Sequence, residues 1–123
     1  MASDTPTFGD ELRPPGPADL RITEHTDDRG TQLTVHGELD VLTVPRFGSY
    51  MAEVVRNRRG DLVIDLRGVS FIDSTGLHIL LNAQGRLTRQ SRRLTVVCDP
   101  GPVRRVIELA RLVETLGVVP GAT

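Results

Sequence analysis

"VIDLRGVSFIDSTGLHILL", residues 63–81, holds two apolar runs separated by a turn, then the small polar cluster Asp73-Ser74-Thr75-Gly76, which opens straight into a third apolar run. The run "DLVIDL", 61–66, is apolar enough for a central strand. Gly68 then marks a break, and Ile79, Leu80, Ala83 and Leu87 fall on one stripe of a helix that the polar cluster starts. A buried strand leading into an amphipathic helix is the unit of an α/β fold, and the flanking sequence extends it both ways.

Upstream, "LRITEHTDDRGTQLTVHGEL" reads as two short strands around the polar turn Asp27-Asp28-Arg29-Gly30, a β-hairpin. Thr43 or a neighbour can cap a helix with Pro45 in its first turn, along which Phe47, Tyr50, Met51, Val54 and Val55 recur at helical spacing up to Asn57–Gly60. Downstream, "RRLTVVCD" supplies another strand and Pro102 to Leu112 another helix. The tail "LGVVPGAT" offers a short edge strand at Val118 and Val119 or a frayed end, and both endings stand open. The order β-β-α-β-α-β-α predicts an α/β single domain with a mixed β-sheet covered by helices, its later strands parallel and crossed over right-handedly. Residues 1–17, rich in Pro, Gly and acid with no apolar period, are expected to be a flexible N-terminal arm. The domain is expected over 18–119, with a tail at 120–123.

Composition narrows the function classes. At 123 residues, 38% hydrophobic and 25% charged, the chain fits one soluble domain with one core. A net charge of -1 cannot supply the field that steers nucleic acid or an acidic membrane surface. Aromatics are 3% with no Trp, which argues against a base-stacking platform. All fifteen basic residues are Arg, a bias that fits a GC-rich genome and carries no functional weight. Cys98 has no partner for an internal disulfide and ends the apolar run "LTVVC", where a small buried hydrophobe fits. No run is long enough to span a membrane, and the N-terminus has no basic start and apolar stretch of a secretory signal, so a cytoplasmic location is expected. No cofactor or metal cluster is implied by the residues.

The polar cluster admits four chemical readings. A hydrolase nucleophile at Ser74 lacks the G-x-S-x-G elbow, although His78 lies at i+4 on the same helical side. An aspartic-protease half-site needs its Gly two residues after Asp, whereas Gly76 stands three after Asp73, ahead of a helical pattern. A receiver-type phosphoacceptor at Asp65 lacks the acidic pair that would hold Mg²⁺, so Asp65 reads as a strand-end polar residue. In the fourth reading Asp73 or Ser74 is an N-cap, worth about 1 kcal/mol. Capping is compatible with function, because a helix start also accommodates a phosphate.

Two motifs carry a resemblance: "GELD" at 37–40 and, at the start of the next helix, "FIDSTGLHILL" at 71–81. From about Leu20 to Val119 the chain resembles bacterial anti-sigma-factor antagonists, small single-domain members of the STAS superfamily. The resemblance implies a non-enzymatic protein switched by phosphorylation. Its partner would be both anti-sigma factor and ATP-dependent serine kinase, with Ser74 as the acceptor and Thr75 second to it. The unmodified form would bind the kinase and free the sigma factor; the phosphorylated form would let go, and a serine phosphatase would reset it. The implied partner surface joins the GELD loop to the acceptor helix through Asp40, Asp73, Ser74, Thr75, Gly76, Leu77 and His78. His78 departs from the small residue, such as Gly, that many relatives carry there. Two alternatives stand beside this reading: a STAS scaffold subunit of a stress-signalling or lipid-transport complex, and a Ser74 hydrolase using His78.

Overall fold

Alternation of apolar and polar residues along the strands decides which side of the sheet is covered. In the computed structural model, which describes residues 20–121, the first two strands are β1 (Arg21–Asp27) and β2 (Gly30–Leu39). They form the expected hairpin, whose turn is pinned by Asp27 Oδ1 accepting from the amides of Arg29 (2.9 Å) and Gly30 (3.3 Å). Then follow α1 (Val44–Asn57), β3 (Asp61–Ile72), α2 (Ser74–Arg89), β4 (Leu94–Val97), α3 (Pro102–Leu109) and β5 (Val118–Val119). The arm expected at 1–17, the domain start at Ala18 and the last two tail residues lie outside the described residues.

The five strands lie side by side in chain order. β1 and β2 are antiparallel, and every later neighbour is parallel. Each parallel step therefore needs a crossover, and α1, α2 and α3 supply the three. Leu33 and Val35, Leu62, Ile64 and Leu66, and Leu94 and Val96 are all buried under these helices in one core with Phe47, Met51, Leu80, Leu87 and Ile107. The alternate residues Gln32, Thr34, Val63, Thr95 and Val97 are exposed or half-buried, forming the barer face of the sheet. Gly48 lets α1 approach α2 closely, because a methyl there would lie 3.1 Å from Ile79 Cδ1.

Several boundaries differ from the sequence reading. β3 does not stop at Leu66 but continues through Gly68 to Ile72, paired with the second half of β2 across register shifts at Thr34/His36 and Gly37/Glu38. Gly68 thus serves an irregularity inside the ladder, where the His36 ring fills the space a side chain would need. Asp65 accordingly sits inside β3 and not at a strand end. It is buried, and Arg67 closes over it with Nε at 3.0 Å and Nη2 at 2.8 Å. β4 is shorter than "RRLTVVCD", and α3 ends at Leu109, not Leu112. That helix stops because Arg111 takes a left-handed conformation (φ 61°) while the amides of Arg111 and Leu112 return to the carbonyls of Glu108 and Ile107. Ser91 ends α2 in the same way. The open question at the tail resolves as an edge strand, Val118 and Val119 pairing with Val96 and Val97. Cys98 is buried in the core, as its apolar setting predicts.

Candidate functional site

The extension of β3 brings the two singled-out motifs together. Leu39 pairs with Ile72, and the Asp73 amide donates to the Leu39 carbonyl at 3.1 Å, so the loop after β2 and the start of α2 leave the sheet side by side. Asp73 is the N-cap of α2. Its backbone is extended, and its Oδ1 accepts from the amides of Thr75 (2.9 Å) and Gly76 (3.2 Å) and from the Thr75 hydroxyl (2.5 Å). Burial pushes the Asp73 carboxyl up, but the Thr75 hydroxyl and the Gly76 and Thr75 amides together outweigh it and hold the group below the usual carboxylate range. The cap is therefore an anion at neutral pH.

The two hydroxyls differ in their commitments. Thr75 spends its proton on the cap, whereas Ser74, exposed at the first helical position, makes no side-chain hydrogen bond among the described residues. Gly76 and Leu77 face inward. A methyl at Gly76 would stand 3.0 Å from both Leu39 Cβ and Ile72 Cγ1, so a hydrogen at this position lets α2 seat against the strand ends. His78 is exposed and forms no side-chain hydrogen bond with Ser74, although their spacing permits one.

Across the joint, Asp40 pins the turn that leads into α1, whose N-cap position is Thr43. Asp40 Oδ1 accepts from the amides of Leu42 (2.9 Å) and Thr43 (3.1 Å). Thr43 is helical in backbone and makes no cap bond of its own into α1; its buried hydroxyl instead donates to the Glu38 carbonyl at 2.7 Å. Thr43 holds the N-cap position through its backbone, its carbonyl accepting from the Phe47 amide at 3.0 Å, while its hydroxyl serves the strand end. Among the residues the sequence singled out, Asp40, Asp73, Ser74 and Thr75 thus come together at one end of the sheet, Gly76 and Leu77 seat the helix, and His78 stands out to solvent.

Sequence reasoning missed three neighbours. Val41 and Leu42 in the loop and Phe71 near the end of β3 are exposed apolar residues. The signal was weak but present: Val41-Leu42 is an apolar pair inside a capped turn, and Phe71 precedes the inward-facing Ile72, so it must point the other way. Among the described residues no group of three His, Cys, Asp or Glu side chains could hold a metal ion, and no helix is long and apolar enough to cross a membrane.

A five-stranded mixed sheet crossed by three helices, with a capped hydroxyl pair where its second helix begins, defines an α/β domain of a specific kind. The STAS domain profile matches residues 19–120, and the chain belongs to that family. It is 28% identical over 102 residues to an anti-sigma-B factor antagonist of Staphylococcus aureus, covering 83% of this chain and 94% of that protein. Its fold is similar to the crystal structure of an anti-sigma factor antagonist from Mycobacterium paratuberculosis, with a TM-score of 0.79, 30% identity, and coverage of 86% and 90% of the two chains. The unphosphorylated form of the anti-sigma factor antagonist SpoIIAA shares the fold at a TM-score of 0.69 and 18% identity, over 83% of this chain and 89% of that one.

Proposed function

We propose that this chain is an anti-sigma-factor antagonist whose partner is an anti-sigma factor with serine kinase activity, and that Ser74 is its phosphorylated residue. The unmodified form binds the partner and so frees a sigma factor; a serine phosphatase restores that form after phosphorylation. The observation that carries the reading is the unequal state of the two hydroxyls: Ser74 Oγ is exposed and uncommitted while Thr75 Oγ1 is bound to Asp73. The antagonist names borne by the Staphylococcus and Mycobacterium relatives support the same role. Asp40, Asp73, Ser74, Thr75, Gly76, Leu77 and His78 belong to the partner surface, the first four by their place at the joint, Gly76 and Leu77 by seating the helix that presents it, His78 by its exposure on that helix.

In the transfer step Ser74 Oγ bonds to the γ-phosphorus of ATP, the bond to the bridging oxygen of ADP breaks, and the hydroxyl proton passes to a base of the kinase. The product carries roughly -1.5 to -2 charges beside the ionised Asp73. Docking would strip water from two adjacent anions, a cost absent in the unmodified form, and about 1.4 kcal/mol already lowers affinity tenfold. Incubation of the chain with such a kinase and labelled ATP should place one phosphate on Ser74, located by peptide mass spectrometry. Ser74→Ala should abolish labelling and Thr75→Val should retain it; undiminished labelling of Ser74→Ala would sink the assignment.

A further inference from the structure

Three of the five large apolar side chains most exposed among the described residues gather at the joint between β2 and β3: Val41 at 68%, Leu42 at 72% and Phe71 at 47%. The loop that bears the first two is held by Asp40 and Thr43, so its side chains are presented without an ordering cost on binding. Phe71 pairs with Glu38, on the sheet face opposite the inward-pointing Leu39 and Ile72. The apolar group therefore runs around the end of the sheet from the side where α2 begins to the barer face.

Charge at this end is one-sided. Residues 30–45 and 68–85, which supply both strand ends and the start of α2, contain none of the chain's arginines but include Glu38, Asp40 and Asp73. Of the four arginines that border these segments, Arg46 donates to the Leu20 carbonyl and Arg67 closes on Asp65, while Arg29 and Arg86 stand at the ends of the segments remote from the joint. Glu38 forms no ion pair among the described residues. A near-neutral molecule thus has one end that is apolar with an acidic edge. A second copy of this chain is a poor occupant, since a two-fold contact through the patch would bring Glu38 and Asp40 against their own counterparts.

We infer that Val41, Leu42 and Phe71 anchor the anti-sigma factor in an apolar groove edged by Lys or Arg side chains, the basic edge meeting Glu38 on the face away from Ser74. The inference rests on the antagonist role proposed above and names the chemistry of the partner's surface. Exposed apolar residues on a pre-shaped loop provide the contact, and the acidic edge sets orientation and the rate of encounter.

The test uses the kinase-type anti-sigma factor retained by the immobilised chain, then purified and titrated calorimetrically. Leu42→Ser and Phe71→Ser should each weaken binding about tenfold or more. Leu109→Ser, which removes an equally exposed apolar side chain at the far end of α3, should leave affinity unchanged. Raising NaCl from about 50 to about 300 mM should weaken the wild-type complex several-fold, and Glu38→Gln should blunt that loss. Anchor variants that bind like wild type, a Leu109→Ser effect of equal size, salt-independent affinity, or self-association of the wild type through this patch would each overturn the inference. Failure of the antagonist role itself looks different: the wild type would neither bind the kinase nor acquire phosphate at Ser74, and the inference would fall with it.

Discussion

At the scale of single residues, the joint shows how a short side chain can be structural and leave its neighbour free. Asp73 satisfies two amides and one hydroxyl with a single oxygen, so Ser74 is relieved of any capping duty. Asp73→Ala should lower stability by about 1 kcal/mol through loss of the cap, and Asp73→Asn should recover most of it, both read by urea unfolding. A loss well above the cap value would mean that Asp73 also braces the loop across the joint. The sequence pointed to the cap correctly here, because Asp before a helical stripe has few other uses. It also placed the start of α1 at Thr43, which is the N-cap position, but the Thr43 hydroxyl is turned to the Glu38 carbonyl and bonds no helical amide.

Elements were legible where periodicity was unbroken. The hairpin and the three helices follow from alternation, turn residues and apolar stripes, and α1 ends at Asn57, within its expected limit. The second half of β3 was not legible, because Arg67 and Gly68 interrupt its pattern and only the irregular pairing with β2 explains why the strand continues. That hidden continuation is what joins GELD to the Asp-Ser-Thr-Gly cluster. Its tightest point is Gly76, and Gly76→Ala should destabilise the protein by about 1–3 kcal/mol by overpacking, despite the better helix propensity of Ala. Thermal unfolding measures it; an unchanged or raised midpoint would show that α2 can back away from Leu39 and Ile72 at no cost.

For the whole molecule, four carboxyls report on acid stability, the exposed Asp27 being held low by the Arg29 and Gly30 amides of its turn. The Arg67 hydrogen bond holds Asp65 low against the opposing effect of burial, and Arg58 does the same for Glu24 with help from the Tyr50 hydroxyl; Asp73 is low as described. Each group binds its proton more readily in the unfolded chain. The unfolded state therefore takes up more protons in acid, and stability that is complete above about pH 4 to 5 is lost as pH falls through the depressed folded values. Asp65→Asn should make this acid limb shallower while lowering stability at neutral pH, as urea midpoints at about pH 7 and about pH 3 would show. An acid limb as steep as that of wild type would place the titration elsewhere. The barer face, on which the buried Asp65 lies, could be read from "DLVIDL" by alternation, since Asp61, Val63 and Asp65 fall on one side and the core residues Leu62, Ile64 and Leu66 on the other; the closure of Arg67 over Asp65 could not.

The side-by-side order of the five strands also bears on how the chain is made. Every strand added after the hairpin joins the growing parallel edge, and none must be inserted between two already in place. A ribosome releasing this chain from its N-terminus delivers the strands in the order in which they pair. The sheet can lengthen during synthesis, with the joint that carries Ser74 assembled before β4 and β5 have emerged.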